Sequence, residues 1–308
     1  MTDNNEKFYR CFPELYHYTG WEGAKGIIES GSMWASHYSG LNDRSEVQHM
    51  KKPLKHALPG SESDRQRAVD WLYGQTFDGF ATPYITSFST HADLSPTDRE
   101  NGLIWQWVGQ PSNKSGGYGR QGYALVFDTR RLDELLDIEF KTWRYLQVTL
   151  AKVFYNHGED AIRKSIKPLV SKAVRFFGNL SLQDITEGKE FVSNFITATA
   201  TFKHACWSNE KEVRIITCPY KQEDLQSIQE DDPEEIKKLK NRSVKTILKR
   251  PDGRRYIALF STLSAELPIT RIIVAPDENQ DTLFRQMHDF VGGKIPIRRS
   301  SLALPNAA

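Results

Sequence analysis

The chain has no hydrophobic run that approaches the roughly 18 apolar residues needed to cross a membrane. Its opening segment, MTDNNEKFYRCF, lacks the apolar stretch of a secretory signal peptide. Cysteine is also scarce, with only Cys11, Cys206 and Cys218 in 308 residues and no closely spaced pair. An odd count without short spacings disfavours a disulfide framework and a zinc site. These absences predict a cytoplasmic protein with no metal and no membrane partner.

Glycine-rich nucleotide-binding signatures are missing too. Neither the Rossmann fingerprint nor the P-loop occurs, so a conventional dinucleotide or ATP fold is not expected. A strong charge of one sign is absent, because 41 basic and 39 acidic residues leave a net charge of +2 at pH 7. Local basic clusters, among them Lys249-Arg250 and Arg254-Arg255, are interpreted as solvated surface, with a nucleic-acid track as the less favoured alternative.

The hydrophobic pattern that is present predicts an α+β fold. Strand-like runs occupy residues 83–89, 122–128, 145–155, 212–218, 256–260 and 270–275, and helix-like runs occupy 21–30, 43–58, 64–77, 159–177, 189–202 and 279–291. Because the two types do not alternate regularly, antiparallel sheets are favoured over a doubly wound parallel sheet. We expect a single domain over residues 1–308, with two small sheets and helical insertions near 43–79 and 156–203.

The segment LYHYT places His17 at the end of a short aromatic strand, directly before a helix. Thr19 is the predicted N-cap of a helix from Trp21, and Glu22 completes a capping-box pattern. Gly31 is predicted to end this helix, and SMWAS resumes as a strand. His17 would therefore lie beside the free backbone N–H groups of a helix start, although a lone histidine is more often structural.

Two further segments carry polar side chains on strands. Alternation along YITSFST places Ser87 and Ser89 on one face. Downstream, alternation along NEKEVR places Glu210 and Glu212 on one strand face, about 7 Å apart. Because two like charges repel, such a pair is awkward to build for stability alone. A solvated edge strand or a Glu–Arg pair is the structural alternative.

The order of these motifs, a histidine, then Ser-x-Ser, then Glu-x-Glu, resembles the ADP-ribosyltransferase superfamily. LYHYT resembles the start of its His-Tyr-Glu branch, and is closer still to the start of toxins that modify thymidine in DNA. The whole chain also resembles an uncharacterised bacterial family marked by LYHYTS, LWAS, LND-x-x-E and W-x-x-E-x-E-W/Y-R. Here Tyr18 replaces a frequent glycine, and the tyrosine that stacks on nicotinamide is not fixed; Tyr18, Tyr38 and Phe88 are the candidates.

The resemblance implies a split antiparallel sheet that binds NAD as the donor of ADP-ribose, without a metal. In that scheme Glu212 stabilises the positive charge that develops on the ribose as its bond to nicotinamide breaks. Glu210 orients or deprotonates the acceptor nucleophile. The implied NAD-binding residues are His17 for the adenosine-side ribose, Tyr18 through its backbone, Thr19, Arg44 for the pyrophosphate, and Ser87 and Ser89 for the nicotinamide ribose or the glutamate.

The implied activity is mono-ADP-ribosyl transfer by a bacterial toxin or phage-defence effector, with an antitoxin as a further partner. Likeness to thymidine-modifying toxins favours DNA or RNA over protein as the acceptor, whereas Glu-x-Glu is associated with transferases that modify arginine. One alternative is an NAD glycohydrolase, which would use water as the acceptor. Another is a non-catalytic sensor or interaction module, which a buried, ion-paired Glu212 behind an apolar wall would indicate. A nuclease is disfavoured, since no acidic cluster has metal-binding spacing.

Overall fold

The computed structural model describes residues 8–41, 46–74, 77, 82–108, 122–156, 167, 185–220, 238–263 and 265–302. Arg44 lies outside the described residues, as does the predicted helix at 159–177 apart from Lys167. No helix in the described ranges is both long and apolar enough to cross a membrane.

The predicted runs that fall within these residues correspond to strands and helices of the structure. The strands are β1 (Glu14–Thr19), β2 (Met33–His37), β3 (Tyr84–Thr90), β4 (Tyr123–Asp128), β5 (Tyr145–Lys152), β6 (Phe154–Asn156), β7 (Phe202–His204), β8 (Glu212–Pro219), β9 (Leu248–Lys249), β10 (Arg255–Leu259), β11 (Ile269–Val274) and β12 (Ile297–Arg299). The helices are α1 (Trp21–Ser30), α2 (Lys51–Ala57), α3 (Glu62–Tyr73), α4 (Pro96–Asn101), α5 (Ile104–Val108), α6 (Thr129–Thr142), α7 (Ile185–Ala200) and α8 (Gln280–Val291). Six of these elements were not predicted: β7, β9, β12, α4, α5 and α6.

Ten of the described strands form one sheet, in which every pair except β11–β12 is antiparallel. The order is β12–β11–β4–β1–β3–β2–β10–β9, and β8 joins β3 to β5. The two remaining strands, β6 and β7, form a separate parallel pair. This confirms the predicted α+β class with a largely antiparallel sheet. The expectation of two small antiparallel sheets is wrong, because β1, β2 and β8 all pair with β3 and so join one continuous sheet.

The sheet forks at β3. One edge of this strand pairs with β8 from Tyr84 to Ser89. The opposite edge is divided, since β1 pairs with it at Ser89 and Thr90 and β2 pairs with it at Tyr84 and Ile85. Between these two points, residues 86–88 have no described strand partner on that edge. Side chains from β1 and β2 can therefore reach the free backbone of β3.

The two faces of the sheet near the fork are covered by different clusters of apolar side chains. Ile85 and Ile216 contribute to a core with residues of α2, α3 and α7. Phe88 and Val213 belong to the other cluster, which includes residues of β4, α6 and α8. Because strand residues alternate between faces, the side chain of Ser87 lies on the Ile85 face.

Two local expectations for α1 have different outcomes. Gly31 ends the helix in the left-handed conformation (φ 58°), which confirms the predicted stop. The predicted capping box is wrong: Gly20 is the N-cap, and no side-chain cap bond forms. Thr19 still belongs to β1, and its hydroxyl lies where a Cβ on Gly23 would be, so only glycine fits there.

Helix α6 was not predicted from the sequence, although a local signal marks it. The Asp128 carboxylate caps the helix by accepting a hydrogen bond from the backbone N–H of Arg131 at 2.9 Å. Leu132, Leu135 and Leu136 then follow at helical spacing and are buried against the sheet. The helix starts immediately after β4. Because no loop residue separates them, the strand pattern of β4 runs directly into the helical pattern of α6.

A pair of glycine variants on α1 tests this end of the fold. Gly31→Ala is expected to lower the free energy of unfolding by about 1–2 kcal/mol, because a left-handed backbone strains any residue with a Cβ. Gly26→Ala, inside the helix with open space around it, is expected to raise the free energy of unfolding by about 0.5–1 kcal/mol. Denaturant titration measures both values. Shifts in the same direction would contradict a helix that ends at Gly31.

Candidate functional site

Glu212, the first residue of β8, lies in a buried ionic cluster. Its carboxylate accepts hydrogen bonds from Nε and a terminal nitrogen of Arg214 at 2.8 and 2.9 Å. Nζ of Lys203 lies 3.1 Å from the same carboxylate. Glu212 is 5% exposed and Arg214 is 2% exposed. Alternation along β8 places these two side chains on one face, where each neutralises the other.

The surroundings of Glu212 fix its charge. Burial acts to raise the pKa of this carboxyl, but Arg214, Lys203 and a hydrogen bond from the Ser87 hydroxyl outweigh burial and lower the pKa to about 2. Glu212 is therefore ionised at neutral pH. Two cations, Arg214 and Lys203, compensate its negative charge. The sequence-based interpretation, in which repulsion between Glu210 and Glu212 dominates the motif, is therefore corrected.

Lys203, which sequence reasoning missed, connects the two glutamates. Its Nζ lies 2.6 Å from a carboxylate oxygen of Glu210 and 3.1 Å from one of Glu212. The lysine is buried on β7, with Nζ 5.4 Å from the centre of the Trp207 ring. The only sequence signal is a cation in the short apolar-flanked run TFKHA, at the end of the helix-like run 189–202.

Glu210 does not lie on the strand that carries Glu212. It ends a 3-10 turn, Ala205–Glu210, and Lys211 adopts a left-handed conformation (φ 47°) before β8 begins. The prediction of one continuous strand face for both glutamates is therefore wrong. The two carboxylates meet because the turn and β8 both direct them towards Lys203.

Ser87 and Ser89 lie on the face of β3 that carries Glu212. Ser89 is directly opposite Glu212 in the β3–β8 register. Its buried hydroxyl accepts a hydrogen bond from Nε2 of Gln106 at 2.9 Å, and this amide also lies 3.4 Å from the Glu210 carbonyl. Ser87 is exposed, and its hydroxyl reaches the Glu212 carboxylate. Gln106 on α5, also unpredicted, closes one side of the site.

His17 spans the fork of the sheet. Its Nδ1 lies 3.0 Å from the carbonyl oxygen of Ser87, on the edge of β3 that no described strand covers. Burial lowers the pKa of His17, partly opposed by this hydrogen bond, so the ring is neutral at pH 7. A carbonyl only accepts, so Nδ1 carries the proton and Nε2 remains an acceptor. The ring packs edge-on against Phe88 at 5.7 Å, on the opposite face from the serine hydroxyls.

The three aromatic candidates for stacking on nicotinamide are already engaged. The Tyr18 hydroxyl accepts a hydrogen bond from the backbone N–H of Leu103 at 2.7 Å and lies 3.0 Å from Nε2 of His91. Tyr38 packs edge-on against Phe77 at 5.1 Å. Phe88 is buried in the core.

The candidate site thus brings together Ser87, Ser89, Glu210 and Glu212 on one side of the sheet, whereas His17 bonds the Ser87 carbonyl at the fork and its ring lies on the other side. Tyr18 and Thr19 lie beside it on β1. Among the residues that the structure describes, no group of three or more histidine, cysteine, aspartate or glutamate side chains is arranged to hold a metal ion.

The ionic cluster gives a prediction for stability and pH. Glu212→Gln is expected to lower the free energy of unfolding at pH 7 by about 3–5 kcal/mol, because buried Arg214 and Lys203 lose their counter-charge. The folded-state pKa of Glu212 is depressed, so its ionisation stabilises the fold above the ordinary value of 4.5 and loses this effect as pH falls towards about 2. Denaturant unfolding should show a gap between wild type and variant that is about 1 kcal/mol smaller at pH 3.5 than at pH 7.

An exposed ion-paired glutamate serves as the control. Glu62→Gln removes the partner of Lys55 on the surface and should change stability little at either pH. Equal effects of the Glu62 and Glu212 substitutions at pH 7 would show that the cluster does not hold a buried charge.

Part of the chain matches a known protein family. A family model described as "Protein of unknown function (DUF2971)" matches residues 116–215, less than half of the chain. No curated protein matches this chain. The matched segment contains Lys203, Glu210, Glu212 and Arg214, whereas His17 and the β3 serines precede it. The chain is thus similar to a family of unknown function across the ionic half of the candidate site.

Proposed function

We propose that this protein is an NAD-dependent mono-ADP-ribosyltransferase. The observation that carries the proposal is that residues distant in sequence meet at the fork of the sheet. Ser89 lies opposite Glu212, the Ser87 hydroxyl bonds the Glu212 carboxylate, and His17 bonds the Ser87 carbonyl. Their types and order match the three motifs of the superfamily that the sequence resembles.

Glu212 is suited to electrostatic stabilisation. A carboxylate with a pKa of about 2 stays ionised and favours the positive charge that develops on the ribose as the bond to nicotinamide breaks. Arg214 donates two hydrogen bonds to this carboxylate and Lys203 donates a third, and the Ser87 hydroxyl also acts to lower its pKa. Because Ser87 is the exposed donor among them, a ribose hydroxyl would bind Glu212 by displacing the serine hydroxyl.

Glu210 is suited to the acceptor. Its side chain is 20% exposed, more than that of Glu212, and it lies on a turn rather than within the sheet. Its carboxylate would orient the acceptor nucleophile or take its proton. The Lys203 ammonium lies 2.6 Å away and holds this carboxylate beside Glu212.

The rest of the proposed NAD site lies along β1. His17 offers Nε2 as an acceptor for a hydroxyl of the adenosine-side ribose. The pairing of β1 with β3 stops at Tyr16, so backbone groups around Tyr18 can contact the nicotinamide amide. Ser89 is buried and bonded to Gln106, which makes Ser87 the serine that meets the nicotinamide ribose. NAD is the ADP-ribose donor in this proposal, and DNA or RNA is favoured as the acceptor.

One observation favours a second candidate, a non-catalytic sensor or interaction module. The protein itself occupies the acceptor positions of Glu212, and this side chain is buried and paired with Arg214 and Lys203. In that case the cluster supports the fold, and the fork between β1 and β2 serves only to bind a partner or ligand.

Mass spectrometry of products distinguishes these functions. The purified protein is incubated with NAD and single-stranded DNA, RNA or cellular protein, and each acceptor is examined for one added ADP-ribose. Glu212→Gln is expected to lower the transfer rate on the order of 100- to 1,000-fold, because it removes a pre-organised charge. Glu14→Gln, which removes a different ion-paired glutamate on β1, should retain transfer. Circular dichroism at the assay temperature verifies that each variant is folded.

Glu210→Gln separates transfer from hydrolysis. It is expected to lose transfer and keep some hydrolysis of NAD, because only activation of the acceptor is affected. Rapid consumption of NAD without any macromolecule would identify a glycohydrolase instead. A folded wild-type protein that neither transfers nor hydrolyses in any of these mixtures would contradict the proposal and leave the interaction module.

A further inference from the structure

Two basic pairs that are separate in the sequence meet on one hairpin. Lys249 ends β9 and is followed by Arg250, and Arg255 begins β10 and is preceded by Arg254. The two strands are antiparallel neighbours, and Lys249 and Arg255, which are directly opposite each other, share the face that Tyr256 does not occupy. The turn between them is closed by a hydrogen bond from the Arg250 N–H to the Arg254 carbonyl at 2.9 Å, with Gly253 at φ 82°. Four cationic side chains are thus concentrated at one hairpin, where Asp252, paired with Arg254, is the acidic side chain of the turn.

Beside this hairpin lies an exposed aromatic surface. Trp34 on β2 is 49% exposed, and its ring centre is 4.3 Å from that of Tyr256 on β10. The Arg250 guanidinium lies 5.1 Å from the Trp34 ring centre and 5.8 Å from that of Tyr256. A hydrogen bond of 2.9 Å from Arg250 to the Ser36 hydroxyl holds the guanidinium there. We call Trp34, Tyr256 and Arg250 the aromatic platform.

The aromatic platform lies on the face of the sheet that carries the proposed active site. Ser36 is opposite Ile85 in the β2–β3 register, so both side chains are on one face. Trp34 shares this face with Ser36, and Ser87 shares it with Ile85, because strand residues alternate. The hydroxyl of Thr86 donates to the Trp34 carbonyl at 3.1 Å, across the fork. Trp34 and Ser87 are therefore neighbours on the two sides of the fork.

We propose that the aromatic platform and its basic hairpin bind a single-stranded nucleic acid. Exposed aromatic rings stack on unpaired bases, and arginine and lysine side chains bind phosphates. The charges favour this occupant over a protein segment, because Arg250 and its turn partner Arg254 lie beside the platform and the acid of the turn, Asp252, is already paired. Delivery of a stacked base to Glu210 rests on the proposed function, whereas the binding itself does not.

Fluorescence anisotropy tests the binding without NAD. The probes are fluorescein-labelled oligonucleotides of about 12 nucleotides, one of deoxythymidine and one of mixed-sequence RNA, at about 50 mM salt. Trp34→Ala is expected to weaken binding on the order of tenfold to a hundredfold, the effect of losing one stacked base. Trp71→Ala, which removes a tryptophan of similar exposure (43%) on α3, should leave binding unchanged.

Charge reversal tests the hairpin. The variant Arg254→Glu should weaken binding and make it less dependent on salt, by about 0.7 in the logarithmic slope for each phosphate that the protein no longer neutralises. Arg130→Glu, on the exposed surface of α6, is the control and should leave the slope unchanged. Annealing the probe to its complement should weaken its binding, because paired bases cannot stack on the platform.

The outcomes separate this inference from the proposed activity. Wild-type protein that fails to bind either probe, or Trp34→Ala protein that binds as wild type does, overturns the proposed surface even if NAD-dependent transfer is detected. Binding that is lost in Trp34→Ala and retained in Trp71→Ala supports the surface. If that binding pattern occurs with no transfer to any acceptor, the surface stands and the transferase proposal fails.

Discussion

The structure around the candidate site depends on neutralising one buried charge, the carboxylate of Glu212. A buried ion is tolerated only when it is paired and its hydrogen-bonding positions are filled. Arg214, Lys203 and Ser87 meet this requirement from β8, β7 and β3. Arg214 also donates to the carbonyl of Ala200 at 2.6 Å, at the end of α7. The same interaction thus links the helical layer to the sheet and orients the glutamate.

In the proposed transferase, this constraint gives the two glutamates different roles. A pKa of about 2 keeps Glu212 from exchanging protons near neutral pH, so its contribution to a reaction is electrostatic. Glu210 is more exposed and shares Lys203 with it, so it is the carboxylate that an acceptor can reach. The cations that stabilise Glu212 in the fold also reduce the field it exerts on a substrate. A substrate hydroxyl that takes the place of the Ser87 hydroxyl at Glu212 would leave Arg214 and Lys203 where they are, so this exchange requires the least change in the buried cluster.

The fork in the sheet gives β3 two neighbours with different chemistry. His17, from β1, presents a neutral imidazole at the carbonyl of Ser87. Trp34, from β2, presents an exposed indole backed by Arg250. One edge of β3 therefore lies between His17, which is suited to a ribose hydroxyl, and Trp34, which is suited to a base. The division arises because β1 and β2 each pair with only two residues of β3.

Local patterns in the sequence determined the longer strands, the α+β class, the shared face of Ser87 and Ser89 and the end of α1 at Gly31, because alternation and backbone conformation depend on neighbouring residues. The tertiary structure alone decided that Lys203 lies between Glu210 and Glu212, that Arg250 stacks on Trp34, and that ten of the twelve described strands join in one sheet. These contacts join residues that are far apart in the chain. They form because the strands pair in a particular register, and no short segment of sequence encodes that register.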